Sequence, residues 1–267
     1  MRKYFAFNIW DIESAKAIID AGVILEHPVL LQTSARVFAG LDQELFLTHI
    51  KGYAARRGIE AFIHLDHCRD KELLFQAIES GWDSVMIDAS DLPLADNIKL
   101  TNEITQIAHR KNVRVEAEVG HIKKTDDYMD EKTIAVADMD DIKEFLHHTD
   151  VDLFAAAIGT AHGLYKGTPV IHHEMIDQVA ELTDIPFVIH GGTGLTDDEF
   201  RRLLQHDNVR KINISTEVKQ AYRIGILRSI DAGLIKAETG AGFEATKVEK
   251  IIYEEIKAMA LHKMSLL

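Results

Sequence analysis

Ala61-Phe62-Ile63-His64-Leu65-Asp66-His67 is a short apolar run that ends in a carboxylate with imidazoles on both sides of it. A buried strand ordinarily closes on turn residues such as Gly, Asn or Asp. Imidazole is the commonest protein metal ligand, so this ending asks for a chemical reason. Two later apolar runs end alike, AAAIGTAHG at His162 and PFVIHGG at His190. Three histidines at strand ends can meet only if the strands run parallel and deliver their ends to one face.

The rest of the chain supplies such strands. Short β-rich runs recur at 4–8, 28–32, 61–65, 84–88, 113–118, 152–158, 186–190 and 209–214. Helical apolar spacing lies between them, as in Leu73, Leu74, Ala77 and Ile78. Thr196 followed three residues later by Glu199 predicts a capping box at a helix start. Strand–helix alternation implies parallel strands joined by crossover helices. Eight units without a composition break predict an α/β fold, a closed (β/α)8 barrel, with a doubly wound open sheet as the alternative. The 267 residues suit one barrel domain spanning 1–267, since such barrels use about 250. From Gly233 onward the chain reads as extra helix, which covers the barrel or reaches a neighbouring subunit.

Composition removes several function classes. The formal charge is −13, from 30 basic and 43 acidic residues, which argues against nucleic acid or an anionic membrane as partner. A small anionic substrate is held by local dipoles and is not excluded. The lone cysteine, Cys68, suits a reducing cytoplasm. The N-terminal residues hold no apolar stretch of signal-peptide length, and no run approaches the roughly 20 residues of a membrane span.

In a barrel, chemistry gathers where strands end at the C-terminal face. Asn8, Ser34, Asp66, His67, Asp88, Glu118, His162, His190 and Asn213 all fall at or just after such ends. His67, His162 and His190 are the metal candidates. Three imidazoles leave a position open for water or substrate, the pattern of a catalytic zinc; the plain alternative is three hydrogen-bonded strand-end histidines. Asp66 is the candidate acid/base, or a carboxylate that orients a histidine. Asp88 and Glu118 either form a second cation site or hold helices in register. Gly191-Gly192-Thr193-Gly194 and Asn213-Ile214-Ser215-Thr216 follow strands seven and eight, where barrels often bind phosphate with backbone N–H groups. A GGTG sequence alone is also an ordinary turn. No lysine stands at the C-terminal end of an apolar strand, so a Schiff-base mechanism is disfavoured against a metal.

These motifs together resemble the class II, metal-dependent ketose-bisphosphate aldolases. The resemblance rests on AFN (6–8), QTS (32–34), HLDHC (64–68), SVMIDAS (84–90), VEAEVG (115–120), AIGTAHGLY (157–165), IHGGTG (189–194) and KINISTE (211–217). It is nearest the fructose- and tagatose-bisphosphate branch. It implies a catalytic zinc on His67, His162 and His190, with Asp66 exchanging a proton at the C4 oxygen. It implies that Gly163, Gly191, Gly192, Thr193, Asn213, Ile214, Ser215 and Thr216 bind dihydroxyacetone phosphate, and that Asn8 and Ser34 contact substrate. Asp88 and Glu118 match positions that take a second divalent or monovalent cation in some members. A homodimer or homotetramer is also implied.

The chain departs from the family pattern in the loop after VEAEVG. Two glycines and Glu-Asp are usual there, the Glu being the mobile base. This loop reads His121-Ile122-Lys123-Lys124-Thr125-Asp126-Asp127, which leaves Asp126 as the expected base. Thr193 stands where Ser is usual and keeps the hydroxyl. Three functional readings follow: a zinc-dependent aldolase for a ketose bisphosphate, the same barrel acting on another phosphorylated ketose or deoxy-ketonic acid, and a non-catalytic sugar-phosphate binder.

Overall fold

The computed structural model describes residues 2–120, 136–161, 163, 169–235 and 243–267. They contain β1 (Tyr4–Asn8), β2 (Val29–Ser34), β3 (Ala61–Cys68), β4 (Ser84–Ile87), β5 (Arg114–Val119), β6 (Leu153–Ala156), β7 (Phe187–Ile189) and β8 (Val209–Ile214). The strands are parallel and close into a barrel in chain order, with β1 pairing to both β2 and β8. The open-sheet alternative is thereby excluded. Helices α1 (Ile12–Leu25), α2 (Ala35–Phe38), α3 (Gln43–Arg56), α4 (Lys71–Glu79), α5 (Leu94–His109), α6 (Met139–His148), α7 (His173–Leu182), α8 (Asp197–Gln205), α9 (Thr216–Asp231) and α10 (Ala245–Met264) complete the chain order.

Strand positions follow the apolar runs, with two informative differences. The run at 61–65 continues as β3 to Cys68, through the very residues that carry the chemistry. The run at 152–158 shortens to Leu153–Ala156, and Ile158 leaves the barrel ladder for an antiparallel bridge with Val136. Between strands and helices the largely aliphatic core is interleaved with aromatic contacts. Phe5 meets Phe200 edge-on with centroids 5.4 Å apart, and Phe154 meets Phe187 at 5.9 Å. Full burial of each such ring stabilises by about 1.5–3 kcal/mol.

Helix starts are set by short polar side chains. Asp11 forms a reciprocal capping box with Ser14 at α1, and Asp70 caps α4. Thr196 caps α8 through the Glu199 N–H, but the Glu199 side chain does not return to it. That carboxylate accepts instead from His173 at 2.6 Å, so only half of the expected box forms.

The C-terminal extension packs on its own barrel. Helix α10 lies against α1 and α9 at the seam between the first and last units. Gly225 permits the contact, because a Cβ there would stand 2.6 Å from the Ile252 Cα. Asp20 of α1 fastens the seam by accepting from Tyr53 of α3 at 2.9 Å and from Tyr253 of α10. Burial, with the Asp20 hydrogen bond, pushes both phenols up, so they remain donors.

Candidate active site and metal centre

The site is built on an irregularity in β3. Neighbours on a strand point to opposite faces, yet Asp66 and His67 both engage the barrel mouth. Pairing with β4 slips by one residue between Leu65 and Cys68, a bulge, and His67 adopts φ 46°. Left-handed backbone on a residue other than glycine costs about 1–3 kcal/mol and is found where structure re-aims a functional side chain.

His67 and His190, the two described metal candidates, are each held from behind by a carboxylate. His67 Nδ1 lies 3.0 Å from Asp88 Oδ2, and His190 Nε2 lies 2.8 Å from Glu116 Oε1. A carboxylate accepts, so these outer nitrogens carry protons, and the inner nitrogens are the ones that offer lone pairs once a metal replaces any proton between them. The inner pair, His67 Nε2 and His190 Nδ1, stand 2.9 Å apart, with the rings at 83°. Glu118 Oε2 approaches His190 Nδ1 to 3.4 Å. His67, Glu118 and His190 thus bring two lone pairs and a carboxylate oxygen together within 4.8 Å of one another. Neutral imidazole plus carboxylate, on buried and prealigned side chains, is a donor set that fits a divalent transition metal.

Beside this cluster sits Asp66. Asn8 Nδ2 and Asn213 Nδ2 donate to its two oxygens, each at 3.3 Å, and Gln32 fixes Asn8 through a 2.9 Å hydrogen bond. Burial alone would raise the Asp66 carboxyl, but His67, Lys211, His190 and His64 outweigh it and hold it at about 2. Asp66 is therefore ionised at neutral pH, the form required of a base. Burial likewise opposes ionisation of Asp88, and the hydrogen bond from His67 overrides it. Its other oxygen accepts from Ser90 at 2.8 Å. Burial pushes the Cys68 thiol up to about 11, which leaves it a poor nucleophile.

The loops after β7 and β8 flank the cluster. Gly191 has φ 72°, and a Cβ on it would come within 2.3 Å of the Ala161 carbonyl oxygen, so only glycine fits. Thr193 is buried. Ser215 stands at the N-cap of α9 without a side-chain cap, and Thr216 begins that helix. Ser34, by contrast, caps α2 by accepting from Val37 N at 3.4 Å. Asn213 Oδ1 and Thr160 Oγ1 are buried with no hydrogen-bond partner among the described residues, so polar capacity remains for a ligand. Gly163 has φ 109°. His162 and Asp126 lie outside the described residues.

Two residues that strand-end reasoning passed over complete the interior. Glu116 and Lys211 lie mid-strand, both almost wholly buried, with Lys211 Nζ donating to Glu116 Oε2 at 2.7 Å. The signal available in the sequence was a carboxylate in VRVEAEV and a lysine in VRKINI, each inside an apolar run. Their opposite charges mark them as a pair. His64 joins them, with Nδ1 2.8 Å from Ser84 Oγ. Burial, helped by Lys211, drives His64 down to about 3, so it is neutral.

The barrel mouth thus joins a His/Glu group able to hold a metal ion to an ionised aspartate, the parts of a metal-assisted acid/base site. The family model for "Fructose-bisphosphate aldolase class-II" matches residues 2–267, and the chain belongs to that family. It is a class II aldolase, a carbon–carbon lyase of a metal-dependent family whose substrates are small phosphorylated sugars. The YdjI aldolase of Escherichia coli K12 is 26% identical, with a TM-score of 0.80 over 99% of this chain and 91% of that one. A putative fructose-1,6-biphosphate aldolase from Coccidioides immitis shares the fold at 21% identity and a TM-score of 0.84, covering 99% of this chain and 91% of that one. So does the fructose-bisphosphate aldolase of Campylobacter jejuni, at 19% and 0.76, over 98% and 88%. Among the described residues no helix is long and apolar enough to cross a membrane.

Proposed function

We propose that this aldolase reversibly cleaves a ketose 1,6-bisphosphate of the fructose or tagatose type into dihydroxyacetone phosphate and glyceraldehyde 3-phosphate. The observation that carries this reading is the convergence of His67 Nε2, His190 Nδ1 and Glu118 Oε2 beside ionised Asp66, between the loops of β7 and β8. His67, His190 and Glu118, with His162, would hold a zinc ion. When bound, zinc supplies Lewis-acid stabilisation of the negative charge that develops at the substrate carbonyl oxygen.

The protein's own groups do the rest. Asp66 accepts the C4 hydroxyl proton as the C3–C4 bond breaks, and returns it in the condensation direction. Asn8 and Asn213 aim its two oxygens. Backbone N–H groups of Gly191–Thr193 and the start of α9 bind the phosphate of the dihydroxyacetone half. Asp126 removes and restores the proton at C3 of dihydroxyacetone phosphate. The enzyme works in the cytoplasm as a homodimer or homotetramer.

The test combines metal analysis with a substrate panel. Zinc near one per chain, turnover lost with chelator and regained with zinc, and triose phosphate released from one bisphosphate are expected. Full turnover in metal-stripped protein would refute the mechanism. Turnover only on another phosphorylated ketose would change the substrate and keep the site. Asp126→Ala should abolish solvent exchange at C3; unchanged exchange would remove Asp126 from its role.

A further inference from the structure

The interior of a (β/α)8 barrel is ordinarily filled by branched apolar side chains. Here a carboxylate and an ammonium occupy it at 0% and 2% exposure, and taking two such charges out of water costs several kcal/mol per ion before their attraction offsets it. Packing alone does not account for the pair, because apolar residues of similar volume would fill the space.

The contacts divide by oxygen. Glu116 Oε1 faces His190 Nε2 at 2.8 Å, while Glu116 Oε2 faces Lys211 Nζ at 2.7 Å and, more loosely, His64 Nε2 at 3.6 Å. Lys211 is a donor only and so demands an acceptor. A carboxylate has an acceptor to offer on both sides, and His190 Nε2 must then be the protonated nitrogen. The Nδ1 lone pair is thereby turned toward His67 and Glu118.

We propose that Glu116 is a positioning residue which fixes the tautomer and ring orientation of His190 for metal binding, and that Lys211 dictates which way the group at 116 can face. The inference rests on the metal-dependent reading above, but it makes a claim about the metal-free protein too.

Glu116→Gln separates this role from charge balance. Lys211 would claim the amide oxygen and turn the amide NH2 toward His190. His190 would have to meet it with an Nε2 lone pair and carry its proton on Nδ1, the nitrogen the metal needs. In the Glu116→Gln/Lys211→Met double variant the amide is free to rotate and present oxygen to His190 again.

Two readouts apply: nitrogen–proton correlation spectra of histidine-labelled, metal-free protein, and zinc affinity by chelator competition. We expect E116Q to move His190 to the Nδ1–H tautomer and to weaken zinc binding by roughly 10–100-fold, the usual effect of losing an outer partner. The double variant should return the tautomer and regain most of the affinity. An unchanged tautomer and affinity in E116Q would overturn the proposal, as would a double variant as weak as E116Q. If E116Q does not fold, the double variant alone decides, by keeping or losing the Nε2–H tautomer. Failure of the wild type to bind zinc would break the functional reading above, whereas the metal-free tautomer tests this one by itself.

Discussion

The described residues contain the same four-group array twice, in two different geometries. At the mouth, Asp88 and Glu116 back His67 and His190, whose inner nitrogens are 2.9 Å apart. On the outer wall, between α7 and α8, Glu199 and Asp177 back His173 and His206, whose inner nitrogens are also 2.9 Å apart. Orientation separates them. The mouth rings cross at 83° with centroids 4.6 Å apart, so the path from ring to ring is bent. The outer rings are tilted by 20° with centroids 5.1 Å apart, and the contact plus two ring radii accounts for nearly all of that distance. Their nitrogens therefore point straight at each other. Bent lone pairs converge on a third point where a metal can sit, and Glu118 aims there as well. In-line nitrogens face only each other and leave no third point between them for a metal. Residue type does not make a metal centre; the angle between the lone pairs does.

The largest expected effect breaks the symmetry outright. His190→Ala should lower zinc affinity by more than the roughly 10–100-fold that loss of an outer partner costs. Turnover should fall with it. His206→Ala should leave both as in the wild type. Metal analysis and steady-state rates on the two variants decide this, and loss of zinc from H206A would show that the outer pair contributes to the same function.

Acid stability sharpens the contrast next. His64, beneath the mouth, is held at about 3 by burial, with Lys211 adding to the shift. The unfolded chain protonates this histidine below about 6.5. The folded protein binds fewer protons in that window, so stability is lost as pH falls from about 6.5 toward 3. At about 1.4 kcal/mol per pH unit for one proton, this amounts to a few kcal/mol across the window. His64→Gln should flatten that limb in denaturation curves taken at several pH values. An unchanged slope would mean that His64 is protonated in the folded state.

The two arrays also differ in how far sequence reveals them. His67, Asp88, Glu118 and His190 each close an apolar run, and a barrel brings strand ends to one face, so the mouth array is nearly readable from periodicity. Its hidden member is Glu116, which sits inside a run and is exposed as functional only by its partner Lys211 on β8. The bulge that lets Asp66 and His67 share one face is not readable either, because a left-handed histidine leaves no mark in composition. The outer array is illegible for another reason. His173 begins α7 and His206 follows the end of α8, and nothing in either helix's spacing tells which surface meets its neighbour. Even Glu199, which reads as half of a capping box, is diverted by that meeting.

Coupling within the outer pair gives the third expectation. His173→Gln should destabilise by about 1–3 kcal/mol, since it mispairs a buried side chain, and His206→Gln by less, because its partner Asp177 stands in solvent. The double variant should lose less than the sum of the singles, with a coupling of about 0.5–3 kcal/mol. Thermal or denaturant unfolding of all four proteins measures it. Strict additivity would mean that the 2.9 Å contact carries no energy and that the two carboxylate bonds act alone.

The smallest effect comes from a control a few residues away. Arg201 reaches Asp198 at 2.8 Å on the same helix α8, but both side chains stand well out in solvent. Water screens the attraction and the chain entropy of two long side chains opposes it, so Arg201→Ala should cost no more than about 0.5 kcal/mol. Distance alone would rank this bond, between residues three apart on one helix, level with Glu199–His173. Burial ranks them differently, because the buried His173 recovers less of its lost partner from water than Asp198 does. A loss in R201A as large as that in H173Q would mean that the outer wall is stabilised by its general charge pattern, and the in-line histidine pair would have no special standing.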